Sequence, residues 1–397
     1  MKNIGALGAQ SLIPKGFAQP TQPPFLMVVH CSGGWDSSMV FETTQSPLRE
    51  LEPGQQIDTS ILPYVKHSSR PSVDQFFSRW GQNACVVNGI HCPSLQQEEA
   101  RRFSDGVLHS DSKRWVSWPA FYAYRAAPSF VLPHVVFGSQ MMPGHLSGYT
   151  QLWSDDLFET PSQNTAFSEQ ELSLIDLYTR KNYSNLLSQY SNHGLSTEKM
   201  KIVQKARKAE AEFKLIRESQ DFLASDSLFL KRAKLACDMF SENRTIAASI
   251  EDHRSWDIHA DHDAQQAVNF ESLFQDLVSL FQYADSLDLL KRMIVVVKSE
   301  MGRNPVLNSL GSRSHWPVTS CLLWGESLRG GQSFGGVTEN CLEQPLNFLL
   351  GSIDETYGVS LQMKNIFAAL FLRWIGPQNP LMKNVSPASF LIDFEGV

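Results

Sequence analysis

The sequence predicts an α/β protein with a mostly parallel central sheet and helices on both of its faces. The strongest signal is a helix over residues 264–292 that leads directly into "RMIVVVKSE", an apolar run typical of a strand buried on both faces. A second apolar run, "VTSCLLWG", follows after a glycine- and serine-rich loop. Strand, helix and strand in this order indicate a doubly wound α/β core. The helix is predicted from the apolar residues on one of its faces, which are Val268, Phe274, Leu277, Phe281, Ala284 and Leu287.

Three more strands are predicted in the N-terminal part of the chain. "PFLMVVHCSGGWD" is an apolar run that stops at a Gly-Gly turn, "NACVVNGI" spans residues 83–90, and "FVLPHVVFG" ends at Gly138. A helix is predicted through "SLQQEEARRF", after the second of them. Because folds of this kind bind ligands at the carboxyl ends of their strands, the polar residues that follow these strands are the candidates for a functional site.

The chain is long enough for one large domain with an insertion. From about residue 168 to 248 the pattern changes to polar helices with apolar residues at three- and four-residue spacing. We therefore expect residues 23–160 and 249–397 to form the α/β core, and residues 161–248 to form a helical insertion that caps it. Residues 1–22 are expected to be an export-signal remnant that is truncated at its start, or else a flexible arm.

Composition excludes several classes of function. The formal net charge of −7 gives no basic field for nucleic acid, and no run of 18 apolar residues exists that would insert into a membrane. The six cysteines form no CxxC pair, so a zinc ribbon is not predicted. Cys85 and Cys92 are close enough in sequence to form a disulfide in an oxidising compartment, although a strand end and its loop would give the same spacing.

Carboxylates and imidazoles follow the predicted strands. Asp36 comes after the Gly-Gly turn, Asp257 and His259 lie in "SWDIHADHD", Glu300 follows "MIVVVK", and His315 lies in "GSRSHWP". These residue types are the ligands that divalent metals accept, and separated segments that meet at one sheet edge would bring them together. The sequence therefore predicts a metal site of the kind that phosphoryl or sulfuryl transfer needs.

Each of these residues also has a purely structural interpretation. Asp36 would cap a following helix, Glu300 would pair with Arg303, and His315 would be a hydrogen-bonded loop histidine. The residues 261–263, Asp-His-Asp, directly precede the predicted helix, where acidic side chains serve as N-caps and interact with the helix dipole. We therefore expect "SWDIHADHD" to divide into two metal ligands followed by a helix cap.

The ordered motifs resemble a known family. "SWDIHAD", "VVVKSEMGRNPVLN", "GSRSHWP" and "LLWGESLRGGQSFGGVTE" are similar to the GWDTH, VVVxSEFGRTP, GGRDHWP and GGxxGGxxxGxT of the sulfatase-like family known as domain of unknown function 1501. "GGWDSSMVFE" and "VVNGIHCPS" resemble its first two strand ends. The resemblance implies an alkaline phosphatase/sulfatase-like fold. This chain departs from the family at Met301, where the motif has phenylalanine, and at Ser314, where it has aspartate.

The resemblance also implies an activity and roles for single residues. It implies one or two divalent metal ions (Zn, Ca, Mg or Mn) held by the residues named above, which are Asp36, Asp257, His259, Glu300 and His315. Arg303 is implied as a group that binds an anionic oxygen. The nucleophile is expected to be Ser94, in the loop after the second strand, with Ser37 and Ser38 as alternatives. Many relatives are exported by the twin-arginine route, which fits the leader remnant.

The leading hypothesis is thus an exported metal-dependent hydrolase of phosphate or sulfate esters, in the periplasm or outside the cell. Its partner would be an anionic ester substrate, with no nucleic acid and no membrane insertion. The alternative is a catalytically degenerate hydrolase fold that acts in envelope binding or assembly, which Ser314 and the unsettled nucleophile favour. A helical interaction module built on residues 168–248 ranks last.

Overall fold

The structure is a computed structural model that describes residues 22–49, 52–108, 115–127, 130, 132–138, 150–153, 225–375 and 385–392. The predicted leader, apart from its last residue, lies outside the described residues. So does most of the predicted insertion, from residue 161 to 224. The division of the chain into core and insertion therefore stays a prediction.

The core is an eight-stranded sheet with the strand order β14-β4-β13-β10-β1-β9-β7-β8. Its strands are β1 (Phe25–His30), β4 (Ala84–His91), β7 (His134–Phe137), β8 (Thr150–Trp153), β9 (Ala247–Glu251), β10 (Met293–Lys298), β13 (Val318–Trp324) and β14 (Gln332–Phe334). Within this sheet only β13 runs antiparallel to its neighbours, which are β10 and β4. The predicted mostly parallel sheet is confirmed.

Within the described part of the chain, three two-stranded sheets accompany the central one. They pair β2 (Gln56–Asp58) with β3 (Tyr64–Lys66), β5 (Gly106–Leu108) with β6 (Trp115–Ser117), and β11 (Gly302–Arg303) with β12 (His315–Trp316). The last pair places His315 opposite Arg303. It thereby joins two segments that the sequence marks as parts of one site.

The described helices form two groups that cover the sheet. They are α1 (Pro71–Trp80), α2 (Gln97–Asp105), α3 (Trp118–Ala126), α4 (Leu228–Ser241), α5 (His262–Ser286) and α6 (Met363–Ile375). Helix α5 packs against α1 and α4, whereas α6 packs against α2 and α3. All six residues of β1 and of β10 are buried. Because successive side chains of a strand point to opposite faces, both faces of the sheet are covered, as predicted.

The packing between helices and sheet is aromatic. On one side Phe76 of α1 meets Phe274 and Phe281 of α5 with ring centroids 5.4 and 5.2 Å apart. Phe240 of α4 stacks on Phe25 of β1 at 4.9 Å. Helix α4 lies within the range predicted as an insertion, yet it belongs to this core.

Helix α5 is the element predicted over residues 264–292. It begins at His262 and ends at Ser286, just before Asp288, which adopts a left-handed φ of 53°. Val268 is 67% exposed, so its predicted place on the buried face is wrong. The other predicted positions on this face are buried or packed against the core.

All six cysteines are free and buried. Cys85 lies near the start of β4 and Cys92 directly after its end. Since a strand rises by about 3.3 Å per residue, these two are roughly 20 Å apart, far beyond the reach of a disulfide. Their spacing therefore reflects a strand and its loop, which is one of the two interpretations that the sequence left open.

Candidate functional site

The carboxyl ends of β1, β4, β9 and β10 meet at one edge of the sheet, and the antiparallel β13 begins at the same edge. The loop after β1 closes tightly over this edge. Gly33 has a φ of 120°, and a Cβ atom there would lie 2.4 Å from the backbone nitrogen of Asp257. Only glycine allows this approach, which brings the loop after β1 against the "SWDIH" segment.

Three of the predicted ligands, Asp257, His259 and His315, gather at this edge, and we call them the Asp257 cluster. His315 Nε2 lies 3.0 Å from Asp257 Oδ1, and His259 Nε2 lies 3.3 Å from Asp257 Oδ2. The side chains of Asp257 and His315 are 32% and 25% exposed, so solvent reaches both. Burial raises the pKa of the Asp257 carboxyl, but His315 and Arg303 outweigh it and lower the pKa.

The orientation of His315 is set from the backbone. Its Nδ1 lies 3.1 Å from the carbonyl oxygen of Leu95, in the loop after β4. When Nδ1 carries the proton and donates it to this carbonyl, the lone pair of Nε2 points at the Asp257 carboxylate. Two acceptors then face each other, and either a second proton on the ring or a bound cation must lie between them. A carbonyl that orients one ring nitrogen is the usual support of a metal-binding histidine.

Arg303 is 3% exposed and acts as a clamp on this edge. Its guanidinium donates to Asp257 Oδ1 at 2.7 Å and to the carbonyl oxygens of Gly34 at 2.9 Å and Trp256 at 2.9 Å. It also donates to the carbonyl oxygens of Gly33 and Arg313. Each nitrogen of Arg303 thus has a protein acceptor, and an anionic oxygen would have to displace one of them. The predicted anion-binding role is therefore not the one that this geometry favours.

Glu300 lies in a separate, closed cluster with His30, Asp105 and Lys298, which we call the buried network. Glu300 Oε1 accepts from the backbone N–H of Gly33 at 2.8 Å, and Oε2 lies 3.4 Å from His30 Nε2. Lys298 Nζ donates to His30 Nδ1 at 2.9 Å and also to Asp105. All four residues are at most 9% exposed.

The charges of the buried network compensate one another. Burial raises the pKa of Asp105, but the positive charge of Lys298 and the interaction with His30 outweigh it and hold that pKa well below its usual range. Burial likewise raises the pKa of Glu300, and its interactions with His30 and with the N–H of Gly33 lower it overall. Glu300 therefore anchors the loop after β1 as a carboxylate.

Asp36 lies in a third group, which we call the Asp36 cluster, with His262, Asp263 and Arg313. His262 Nε2 lies 3.6 Å and Arg313 Nε 3.4 Å from Asp36 Oδ2. Burial raises the pKa of Asp36, but His262 and the nearby arginines outweigh it and hold the pKa well below its usual range. One atom each of Asp36, His262 and Asp263 lie within 4.8 Å of one another, which would suit a metal ion. However, Arg313 Nε also lies 3.1 Å from Asp263 Oδ1, so a guanidinium already supplies the positive charge.

Residues 261–263 lie at the start of α5, as predicted, but two of them also contact residues that are far away in the sequence. Asp261 occupies the N-cap position of α5, with a left-handed φ of 47°, but its side chain makes no capping hydrogen bond. His262 is buried beside Asp36, and Asp263 binds Arg313. The sequence held no signal for this, because Asp36 and Arg313 are distant in sequence from the start of α5.

The three candidate serines differ in their surroundings. Ser94 Oγ donates to Glu99 Oε2 at 2.7 Å and lies next to Leu95, whose carbonyl orients His315. Ser38 is buried, and its hydroxyl donates to Asp36 at 2.5 Å. Ser37 is half-buried, accepts from Ser320 Oγ at 2.8 Å and lines a cavity. Ser38 is therefore the least accessible of the three.

Sequence reasoning missed His30, Asp105 and Lys298. "VVVK" and "VVH" end neighbouring strands, and the register of β1 and β10 pairs His30 with Lys298. The polar residue that closes each apolar run was the available signal. Asp105 comes from the end of α2, and nothing in its local sequence points to the sheet edge.

Residues 169–343 of the chain match the model of the family described as protein of unknown function, DUF1501. This match confirms the family resemblance predicted from the motifs, and it includes the segments of Asp257, Glu300 and His315. No curated protein sequence matches the chain significantly.

Solved structures similar to this chain include a protein of the alkaline phosphatase superfamily from Vibrio parahaemolyticus, at 8% identity and a TM-score of 0.45, covering 94% of this chain and 71% of that one. The lipoteichoic acid synthase LtaP from Listeria monocytogenes is similar at 8% identity and a TM-score of 0.43, covering 93% and 76%. The PsFucS1 sulfatase from Pseudoalteromonas sp. is similar at 11% identity and a TM-score of 0.40, covering 94% and 72%. Among the helices that the structure describes, none is long and apolar enough to span a membrane.

Proposed function

We propose that this chain, with its DUF1501 segment, is a metal-dependent hydrolase of phosphate or sulfate esters whose metal ligands are Asp257, His259 and His315. The observation that carries the proposal is the orientation of His315 between the Leu95 carbonyl and the Asp257 carboxylate. When Nε2 carries no proton, this arrangement directs a ring lone pair at a carboxylate in a place that solvent reaches. A divalent cation bound there would neutralise the oxygens of an anionic ester.

The donor set bears on the identity of the metal. Two imidazoles and one carboxylate suit a borderline ion such as Zn²⁺ better than Ca²⁺, Mg²⁺ or Mn²⁺, which prefer oxygen ligands. Asp36 is paired with Arg313. Glu300 contacts His30 and accepts from the N–H of Gly33. We therefore propose that the metal is held by the Asp257 cluster alone, which is fewer ligands than the sequence predicts.

Ser94 is the proposed nucleophile. Its hydroxyl is 2.7 Å from the carboxylate of Glu99, a distance at which Glu99 can accept the hydroxyl proton during attack. Ser94 also adjoins Leu95, which touches the Asp257 cluster. Ser37 is the alternative, because it lines a cavity next to Arg303. Ser94→Ala should abolish turnover and leave the bound metal in place. Ser37→Ala should abolish turnover only if Ser37 is the nucleophile.

The test of the metal site is elemental analysis of protein purified without chelator, followed by assays with aryl phosphate and aryl sulfate esters. We expect about one metal ion per chain in the wild type and none in His315→Ala. His253→Ala is the matched control, because His253 is a partly exposed histidine outside the Asp257 cluster. Equal metal content in wild type and His315→Ala would remove His315 from the site.

A second candidate function is a catalytically degenerate hydrolase fold that binds or assembles envelope components. It is favoured by the engagement of Arg303, Glu300 and Asp36 in contacts within the protein, and by Ser314 at a position where the family motif has aspartate. Protein that holds no metal and turns over neither class of ester would support this candidate.

Export to the periplasm or the outside of the cell is proposed from residues 1–22 alone. Fractionation of cells that express the native gene tests it. Unprocessed protein found in the cytoplasm would contradict export. It would not bear on the proposal of a metal site.

A further inference from the structure

A cavity is lined by Arg303, the residue that also binds Asp257. It is bordered by the loop after β1, by β4 and by the start of β13. Ser37, Glu42, Arg49, Asn88 and Trp316 are among the residues that line it. We call it the Glu42 cavity.

Three of these residues each have a buried polar atom without a hydrogen-bond partner among the residues that the structure describes. These atoms are Glu42 Oε2, Arg49 Nε and Asn88 Oδ1. Glu42 is 4% and Asn88 3% exposed. Leaving a buried donor or acceptor unpaired typically costs about 1–3 kcal/mol, so several in one cavity indicate that something else pairs with them.

The other polar atoms of the Glu42 and Asn88 side chains have hydrogen-bond partners within the protein. Glu42 Oε1 accepts from the backbone N–H of Thr44 at 2.7 Å. Asn88 Nδ2 donates to the carbonyl oxygen of Phe41 at 3.0 Å, which identifies Oδ1 as the free acceptor. Burial raises the pKa of Glu42. Glu42 Oε2 and Asn88 Oδ1 are therefore held in place by neighbouring contacts, as the groups of a preformed site are.

The charges in the cavity select the kind of ligand. A cation would suit Glu42 but would meet the guanidinium of Arg49, and an anion would suit Arg49 but would meet the carboxyl of Glu42. A hydroxyl group carries no charge, donates one hydrogen bond and accepts others, so it can pair with acceptors and donors at once. Ser37 adds a further hydroxyl to the lining.

We propose that the Glu42 cavity binds a neutral polyhydroxy ligand, either a small polyol or the hydroxyl groups of a sugar. Glu42 Oε2 and Asn88 Oδ1 accept from its hydroxyls, and Arg49 Nε donates to one of them. The cavity needs no metal for this. Because Arg303 both lines the cavity and binds Asp257, a ligand there would lie next to the proposed metal site.

The test is a titration of the full-length protein with glycerol, glucose, galactose and mannose, followed by calorimetry or by saturation-transfer NMR. Glu42→Gln replaces the free acceptor by an amide, and Arg49→Lys keeps the positive charge but removes the Nε–H donor. Each should weaken the Kd of the tightest probe by about tenfold or more. Glu355→Gln, a change at an exposed glutamate, is the matched control and should bind like the wild type.

His315→Ala separates this proposal from the metal-dependent hydrolase. It should lose the metal and keep the polyol affinity of the wild type. Polyol binding without any metal in the wild type would support the cavity and contradict the hydrolase, whereas metal and turnover without polyol binding would do the reverse. The proposal is overturned if no probe binds saturably, or if both Glu42→Gln and Arg49→Lys bind as the wild type does.

Discussion

His30 and His315 lie at the same edge of the sheet, and each faces a carboxylate, but their surroundings are opposite. His30 is 4% exposed, and Lys298 donates to its Nδ1, which leaves Nε2–H directed at Glu300. His315 has a carbonyl at Nδ1, and its Nε2 faces Asp257 as a hydrogen-bond donor when it is protonated and with a lone pair when it is not. The group that faces the first ring nitrogen thus decides what the second can do. A lysine makes His30 part of a scaffold, and a carbonyl prepares His315 as a ligand.

The positions in the fold explain this difference. His30 and Lys298 end two adjacent interior strands in register, so their side chains are enclosed by the sheet and the helices. His315 lies in the short strand β12, which pairs only with β11 and is not part of the central sheet. The side chains at the ends of interior strands therefore stabilise the fold, whereas the peripheral segments provide the side chains that solvent reaches.

The largest expected effect comes from breaking the buried network. Lys298→Met removes the positive charge between His30 and Asp105 and leaves the Asp105 carboxylate buried beside fewer partners. We expect the free energy of unfolding, measured in urea, to fall by about 3–5 kcal/mol. Lys291→Met is the control, because Lys291 is 71% exposed and pairs only with the exposed Asp288; it should change stability by less than about 0.5 kcal/mol. A loss below about 1 kcal/mol for Lys298→Met would show that the network is not a scaffold.

Arg303→Lys tests the link between the two regions. A lysine keeps the charge but cannot reach Gly34, Trp256 and Asp257 together, as the planar guanidinium does. We expect a loss of about 2 kcal/mol in unfolding free energy and a 10- to 100-fold weaker metal affinity. If metal affinity stayed at the wild-type value while stability fell, Arg303 would support the fold and not the Asp257 cluster.

Much of the fold was predictable because its strands are short apolar runs and its longest helix has a clear apolar face. Runs such as "MIVVVK" bury both faces and leave little choice of structure. Val268 was misassigned because it precedes Phe274 by six residues, a spacing that places it on the opposite side of the helix from the other apolar positions. It is exposed although Gln266, Ala267 and Phe270 in the same turns are buried.

The candidate site was predictable as a location but not as a set of contacts. The segments that carry Asp36, Asp257, Glu300 and His315 meet at one sheet edge, because each of them follows or adjoins a strand that ends or begins there. Their division into three clusters depends on Arg313, Lys298 and Arg303, which come from other segments and decide which carboxylates are already paired. The sequence showed the carboxylates but not which cation each would meet.

The acid dependence of stability sharpens the comparison. The pKa values of Glu300 and Asp105 are lowered in the folded protein, so their stabilising contribution is complete above the unperturbed values of 4.5 and 3.8 and is lost as the pH falls through the folded values. We expect the urea midpoint of the wild type to drop as the pH falls below about 4.5. Glu300→Gln has one such carboxylate fewer, so its midpoint should drop less. Equal drops of the urea midpoint in both proteins would mean that protonation of Glu300 does not contribute to the acid dependence of stability.

The smallest expected effect is that of His259→Ala. The His259 side chain is 77% exposed and lies 3.3 Å from Asp257 Oδ2, so its removal leaves no buried group unpaired. We expect the free energy of unfolding to change by less than about 0.5 kcal/mol. Metal affinity should fall by only about tenfold, because an exposed and flexible side chain loses conformational entropy when it is ordered by the metal. Isothermal titration with Zn²⁺ measures the affinity, and His315→Ala, with its ring held by Leu95, should lose far more. If the two variants lost equal affinity, orientation by the backbone would not be what distinguishes a ligand at this edge.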